Sequence, residues 1–225
     1  MMEHAHEDAP AAEGPKATAE PTSRPSPEAL ALLHEVDHRV KNNLQLIASL
    51  IQLQARRSVD PTAQQALKSV LERVNAVATV HRRLFQDDVQ RFAVADFLRD
   101  LCGDLAASAG RDDIAFALDL ERVELPAASA AAFALVAQEL IGNALKHGFP
   151  PERPGRISVT LAQEAGSCVL MVADDGVGFS DAPPGFGLSL VRLLCQQLHA
   201  DLDLGAPQGP GARIVLRTPL TRIMA

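Results

Sequence analysis

The residues Gln138-Glu139-Leu140-Ile141-Gly142-Asn143-Ala144-Leu145-Lys146-His147 close an Ala-rich, proline-free run that begins at Ala127 and stops at Gly148. The run predicts a long helix, with Gly148 as a suitable C′ residue. Glu139, Asn143 and Lys146 are spaced by four and three, so they share one face. An acid, an amide oxygen and a cation on one face can hold a metal ion and a polyphosphate together. Taken alone, such residues also describe an ordinary solvated helix face. The flanking chain decides between the two.

Downstream, Ile157-Ser-Val-Thr-Leu161 and Cys168-Val-Leu-Met-Val172 read as strands, residues 187–198 as a helix and Arg213-Ile-Val-Leu-Arg217 as a last strand. Upstream, Phe97, Leu98, Leu101 and Leu105 have helical spacing, and residues 114–120 alternate like a strand. This mixture predicts an α/β sandwich, one sheet covered on one face by helices. Two glycine loops interrupt it. Asp174-Asp175-Gly176-Val177-Gly178 follows an apolar strand, and Gly185-Phe186-Gly187-Leu188 precedes a helix. Glycine lets backbone approach a ligand closely, and a helix N-terminus suits phosphate. Neither loop fits the dinucleotide fingerprint or the P-loop, which needs a Gly-Lys-Ser/Thr that is missing here.

The N-terminal half is organised differently. Residues 1–27 are rich in Ala, Pro and Glu and predict a disordered tail. Residues 28–87 then read as a helical hairpin. Leu30, Leu33, Val40, Leu44, Ile47 and Ile51 form one apolar row, and Leu32, Val36, Leu46, Leu50 and Leu53 a second. Ser58-Val59-Asp60-Pro61 is a turn, with Asp60 as cap and Pro61 opening a helix that carries Leu67, Val70, Val74, Val77 and Leu84. A stripe this wide predicts a homodimer in which two antiparallel hairpins make a four-helix bundle. Residues 88–225 make up the sandwich domain.

Bulk properties exclude several classes. The net charge of −7 argues against non-specific nucleic-acid binding. Cys102, Cys168 and Cys195 lie far apart in apolar stretches, which predicts buried, reduced thiols. There is no basic start followed by an apolar run. No stretch reads as the roughly 20 apolar residues that span a bilayer, so a soluble, cytoplasmic protein without a membrane segment is expected.

The three elements around Asn143 and Asp174 resemble the ATP-binding domain of the gyrase, chaperone, histidine kinase and mismatch-repair superfamily, the Bergerat fold. ELIGNALKH looks like its N-box, DDGVGF its first glycine box and GFGLSLV its second, in order across about Phe92 to Pro219. The resemblance implies that Asn143 coordinates Mg²⁺ on the phosphates of ATP, with Glu139 as its catalytic neighbour. It implies that Asp174 accepts from the adenine amino group, with Gly176 and Gly178 giving the base room. Lys146 and His147 would face phosphates, and Gly185 and Gly187 would bound a small lid over residues 180–184.

The hairpin chooses the reaction. His34-Glu-Val-Asp-His38-Arg-Val-Lys-Asn-Asn-Leu-Gln45 is similar to the phosphoacceptor helix of the HRxKNNLQ subclass of histidine kinases. The related HWE group is named partly for a Trp-x-Glu motif, and this chain has no Trp. The resemblance implies autophosphorylation of His38, then transfer to an aspartate on a response-regulator receiver domain. Control would come from a separate sensor protein, from expression level or from the tail itself. Arg39 stands where some kinases carry an assisting acid, which leaves Asp37 and Glu35 as alternatives; whether transfer runs within one chain or across the dimer is not fixed by the turn. Three rivals exist: a histidine phosphotransferase with little kinase activity, a serine kinase acting as an anti-sigma switch, and a zinc hydrolase, since HEVDH also matches H-E-x-x-H. The zinc reading leaves the nucleotide boxes without a role, and the anti-sigma kinases lack the hairpin.

Overall fold

A computed structural model describes residues 27–86, 91–151, 153–178, 186–205 and 211–220. The tail, Ser26, Gly185 and the proposed lid at 180–184 lie outside the described residues. By compactness the chain divides into residues 1–36 and residues 37–225.

Helix α1 spans Pro27–Arg57 and α2 spans Pro61–Gln86. The turn between them is capped as its sequence suggests: the Asp60 carboxylate accepts from the Thr62 N–H at 2.9 Å, and Pro61 occupies the first helical position, where no N–H is needed. Of the two apolar rows on α1, Val40, Leu44 and Ile51 are half-buried. Of the second row, Val36, Leu46, Leu50 and Leu53 face solvent in the single chain, with Leu46 59% and Leu50 54% exposed.

In the second unit, strand β1 (Arg91–Ala93) pairs antiparallel with β3 (Glu124–Pro126), a two-stranded ribbon too short to show in the apolar pattern. Helix α3 (Val94–Ala109) follows, ending at Gly110 in the left-handed conformation. The main sheet has the order β2 (Ile114–Leu120), β4 (Gly155–Glu164), β5 (Ser167–Asp174), β7 (Arg213–Pro219) and β6 (Asp201–Asp203). Only β2 and β4 are parallel. A parallel pair needs a crossover, and α4 (Ala127–His147) supplies it. Helix α5 (Phe186–Leu198) connects β5 to the edge strand β6, a three-residue strand absent from the sequence expectation.

The core lies between the sheet and α3, α4 and α5. On β4 the side chains of Ile157, Val159 and Leu161 are buried while Ser158, Thr160 and Ala162 are half-buried, the alternation of a sheet with one covered face. Phe133, Leu140 and Ile141 on α4 meet that face with essentially no exposure. Each such side chain contributes about 1.5–3 kcal/mol of burial. By length and composition α4 would also cross a membrane, contrary to the sequence expectation of no such stretch; 72% of its most apolar window is buried inside the domain, so it serves as the core helix. The three cysteines are free and buried, and burial pushes the Cys102 and Cys168 thiols up to about 12.

Candidate active site

Helix α4 ends at His147, and Gly148 caps it in right-handed helical conformation, its N–H donating to the Ala144 carbonyl at 2.9 Å. The left-handed C′ geometry suggested by the sequence is therefore not what Gly148 provides. The glycine is required by proximity: a Cβ there would lie 3.3 Å from Asp174 Oδ1 and 2.5 Å from the Ala144 oxygen. The loop after β5 turns directly over it, and the Val177 N–H donates to the Gly148 carbonyl at 2.8 Å.

Asp174 stands at the C-terminus of β5 at this crossing. Its Oδ1 accepts from the Gly176 N–H at 2.9 Å and from the Ala212 N–H at 3.2 Å, which fixes the side chain. Burial raises its carboxyl above the usual aspartate range, with those two N–H donors opposing the shift. Gly178 and Gly211 both adopt positive φ, +78° and +103°, and a Cβ on Gly211 would sit 1.8 Å from the Asp174 carbonyl oxygen. The loop around Asp174 is therefore built from backbone packed on backbone, with no volume spent on side chains.

A cavity of about 1120 Å³ opens beside this loop. It gathers Glu139, Asn143, Lys146 and His147 from α4, Asp174 and Gly178 from the β5 loop, and Gly187 from the start of α5. Gly176 is buried beneath Asp174, outside the lining. The separation of four and three along α4 thus points its polar residues into one space with the two glycine loops.

Two partners were invisible in the sequence. Arg73 on α2 holds Glu139 through both carboxylate oxygens, Nε to Oε1 at 2.6 Å and Nη2 to Oε2 at 3.1 Å. Its guanidinium also lies 5.0 Å from the Phe186 ring centroid. Glu139 keeps Arg73 firmly protonated, raising its already high pKa. Beside it, Glu72 accepts from Lys146 Nζ at 2.7 Å. Neither α2 residue interrupts the apolar seam of Val70, Val74 and Val77, so no pattern marks them.

His38 is exposed on α1 and does not line the cavity. Its Nδ1 lies 3.1 Å from the amide nitrogen of Asn42, one turn on. Among the described residues, no three His, Cys, Asp or Glu side chains form a metal cluster.

A histidine kinase family model matches residues 35–109, spanning His38 and both faces of the hairpin turn. The model for histidine kinase-, DNA gyrase B- and HSP90-like ATPases matches residues 128–222, spanning both glycine boxes. The chain belongs to the histidine kinases. Sensor histidine kinase PdtaS of Mycolicibacterium smegmatis is 32% identical over 206 residues, covering 85% of this chain. PdtaS of Mycobacterium tuberculosis is 33% identical over 205 residues, also 85% of this chain. This kinase chain spans 40% of the length of each. Among solved structures, the histidine kinase domain of the Erythrobacter litoralis blue-light-activated histidine kinase superposes with a TM-score of 0.62 at 25% identity, over 86% of this chain and 93% of that one. The family match begins at Glu35 and includes His38, so all of HEVDH but His34 falls within the histidine kinase match instead of standing as an isolated zinc motif.

Proposed function

We propose that this chain phosphorylates its own His38 from ATP and passes the phosphoryl group to an aspartate of a response-regulator receiver domain. The observation that carries the reading is the convergence of Glu139, Asn143, Lys146 and Asp174 on one cavity, in a chain whose other module presents an exposed histidine.

In this reading residues 28–87 are the dimerisation and phosphotransfer hairpin and residues 88–225 the ATP-binding domain. Asp174 accepts from the adenine amino group, and its two backbone N–H partners aim it. Gly176 and Gly178 leave space for the base, while Lys146, His147 and the start of α5 at Gly187 face the phosphates. The oxygen donors of the cavity suit a hard divalent cation, and Asn143 would hold Mg²⁺. Bound there, the ion would neutralise charge developing on the phosphates. His38 donates a nitrogen lone pair to the γ-phosphorus; the bond to the bridging oxygen breaks and ADP leaves. Since His38 does not line the cavity, the hairpin must bring it there, from this chain or from a second copy. The solvent-facing row Leu46, Leu50 and Leu53 supports a homodimer, because a bundle with a second hairpin would bury it.

The test is incubation with γ-labelled ATP and Mg²⁺. The protein should gain acid-labile, base-stable label that is lost in His38→Ala and in Asn143→Ala. Label that persists in both variants, or that survives acid, overturns the reading. Label acquired only from a phosphorylated receiver would mark a phosphotransferase.

A further inference from the structure

The nucleotide boxes all belong to residues 128–222, yet the cavity they form is closed on one side by α2, through Gln65, Ser69, Val70, Glu72 and Arg73. The site is therefore shared between the two modules within the chain. Arg73 has the most constrained position of these. Its side chain is 18% exposed and is held on two sides by the ATP-binding domain, edge-on by Glu139 and face-on by Phe186.

The corner it occupies is built for negative charge. Glu139 Oε2 lies so close to the start of α5 that a Cβ on Gly187 would sit 2.5 Å from it. A carboxylate thus rests between a guanidinium and a helix N-terminus, both of which favour anions. The contact to Glu139 engages one N–H of Nε and one of Nη2, while Nη1 and the second hydrogen of Nη2 lie on the other edges of a planar group that lines the cavity. A guanidinium can in this way grip a carboxylate and a phosphate at once. A lysine's three donors could bridge the two only loosely, having neither the fork nor the planar face.

We propose that Arg73 is a nucleotide ligand, contributed by the hairpin helix α2 to the phosphate end of the ATP site. This rests on the reading of the cavity as an ATP site. Glu139 and Phe186 hold the guanidinium in place before the nucleotide arrives, so little side-chain entropy is lost on binding. The role differs from that of the neighbouring Glu72, whose carboxylate covers Lys146 and must yield to a phosphate.

Calorimetric titration of the full chain with adenosine, ADP and Mg²⁺–ATP tests this, with wild type, Arg73→Ala, Arg73→Lys, Glu139→Ala and the Arg73→Ala/Glu139→Ala double variant. Thermal melting of each checks that the fold survives. Loss of a charge-assisted contact should weaken ATP by about tenfold in Arg73→Ala, leave adenosine nearly unchanged, and recover only in part in Arg73→Lys. The double variant should stay weak for ATP. If it regains wild-type affinity, Arg73 only neutralises Glu139 and the proposal falls. Equal losses for adenosine and ATP would show a packing role, and tighter ATP binding in Arg73→Ala would show an inhibitory latch; either overturns it. Wild-type protein that binds no ATP, or whose affinity ignores Asn143→Ala, would overturn the ATP-site reading as well. Normal Asn143-dependent binding with no Arg73 effect on any of the three ligands sinks this inference alone.

Discussion

Gly176 passes so close over Gly148 that a Cβ on Gly176 would sit 2.0 Å from the Gly148 carbonyl oxygen and 2.8 Å from Asp174 Oδ1. The end of the N-box helix and the first glycine box are thereby one packed unit. Gly176→Ala must push these backbones apart and displace Asp174. Overpacking of this kind costs about 1–3 kcal/mol. Urea unfolding should show the loss, and nucleotide affinity should fall with it because Asp174, the proposed adenine acceptor, moves. An alanine that leaves both unchanged would mean the crossing can relax freely.

Asp174 has a pH dependence with a definite sign. Burial raises its carboxyl in the folded protein. Folding therefore favours the protonated form: the stabilising contribution is full below the unfolded value and is lost as pH rises through the folded one. At neutral pH the ionised carboxylate works against the apo fold. Asp174→Asn keeps an oxygen for the Gly176 and Ala212 N–H donors and removes the charge. Its melting temperature at pH 7 should equal or exceed that of wild type, with the difference shrinking as pH falls through the raised value toward the ordinary aspartate range. ATP affinity should meanwhile fall by about tenfold or more, since the amide no longer accepts as a carboxylate does. A variant less stable than wild type at neutral pH would contradict the assigned cause.

Glu72 and Lys146 form an ion pair that is partly open to solvent, with side chains 31% and 38% exposed. Glu72→Gln releases the ammonium toward the cavity and removes a negative charge from its rim. Exposed pairs are worth little, so ATP affinity should rise only about threefold at low salt. The gain should vanish as salt screens the rim. Titrations at two ionic strengths check this; weaker binding in Glu72→Gln would show that the pair supports the site.

The contrast between Asp174 and Arg73 explains what the sequence could carry. Asp174 lies in a local string, strand then Asp-Asp-Gly-x-Gly, whose chemistry is short-range and so legible. Helical spacing puts Asn143 and Glu139 on one face, and the glycine loops that follow in the same order are what distinguish that face from a solvated one. Arg73 lies 66 positions from Glu139, on a helix whose periodic pattern concerns its apolar seam. Which polar residue of α2 meets α4 depends on how the two helices pack, and no periodicity encodes that. The ribbon of β1 and β3 and the edge strand β6 are illegible for another reason: three residues give no alternation to read. Gly148 stands at a helix end, whereas the need for glycine there arises from a loop crossing 26 residues later at Asp174.

His38 and Asn42 make the last prediction. The Asn42 amide lies one helical turn on, 3.1 Å from Nδ1 of the exposed His38, so that ring nitrogen is engaged and Nε2 is favoured for attack. A neutral imidazole can attack only through a nitrogen that carries no proton. The amide can donate to Nδ1 or, turned over, accept a proton from it, and only the second arrangement leaves the lone pair on Nε2. In the proposed reaction Asn42, with its oxygen turned to Nδ1, would act as a positioning residue that selects the ring nitrogen and tautomer that attack. Phosphorylated wild-type protein should carry the phosphoryl group on Nε2, read by nitrogen NMR of the labelled histidine. Asn42→Ala should slow labelling several-fold, by about a kcal/mol of lost orientation. It should leave ATP affinity unchanged, since neither residue lines the cavity. Asn42→Asp, which can only accept, should retain Nε2 chemistry. A phosphoryl group on Nδ1, or a rate indifferent to Asn42→Ala, would show that the pair on α1 does not orient the attack.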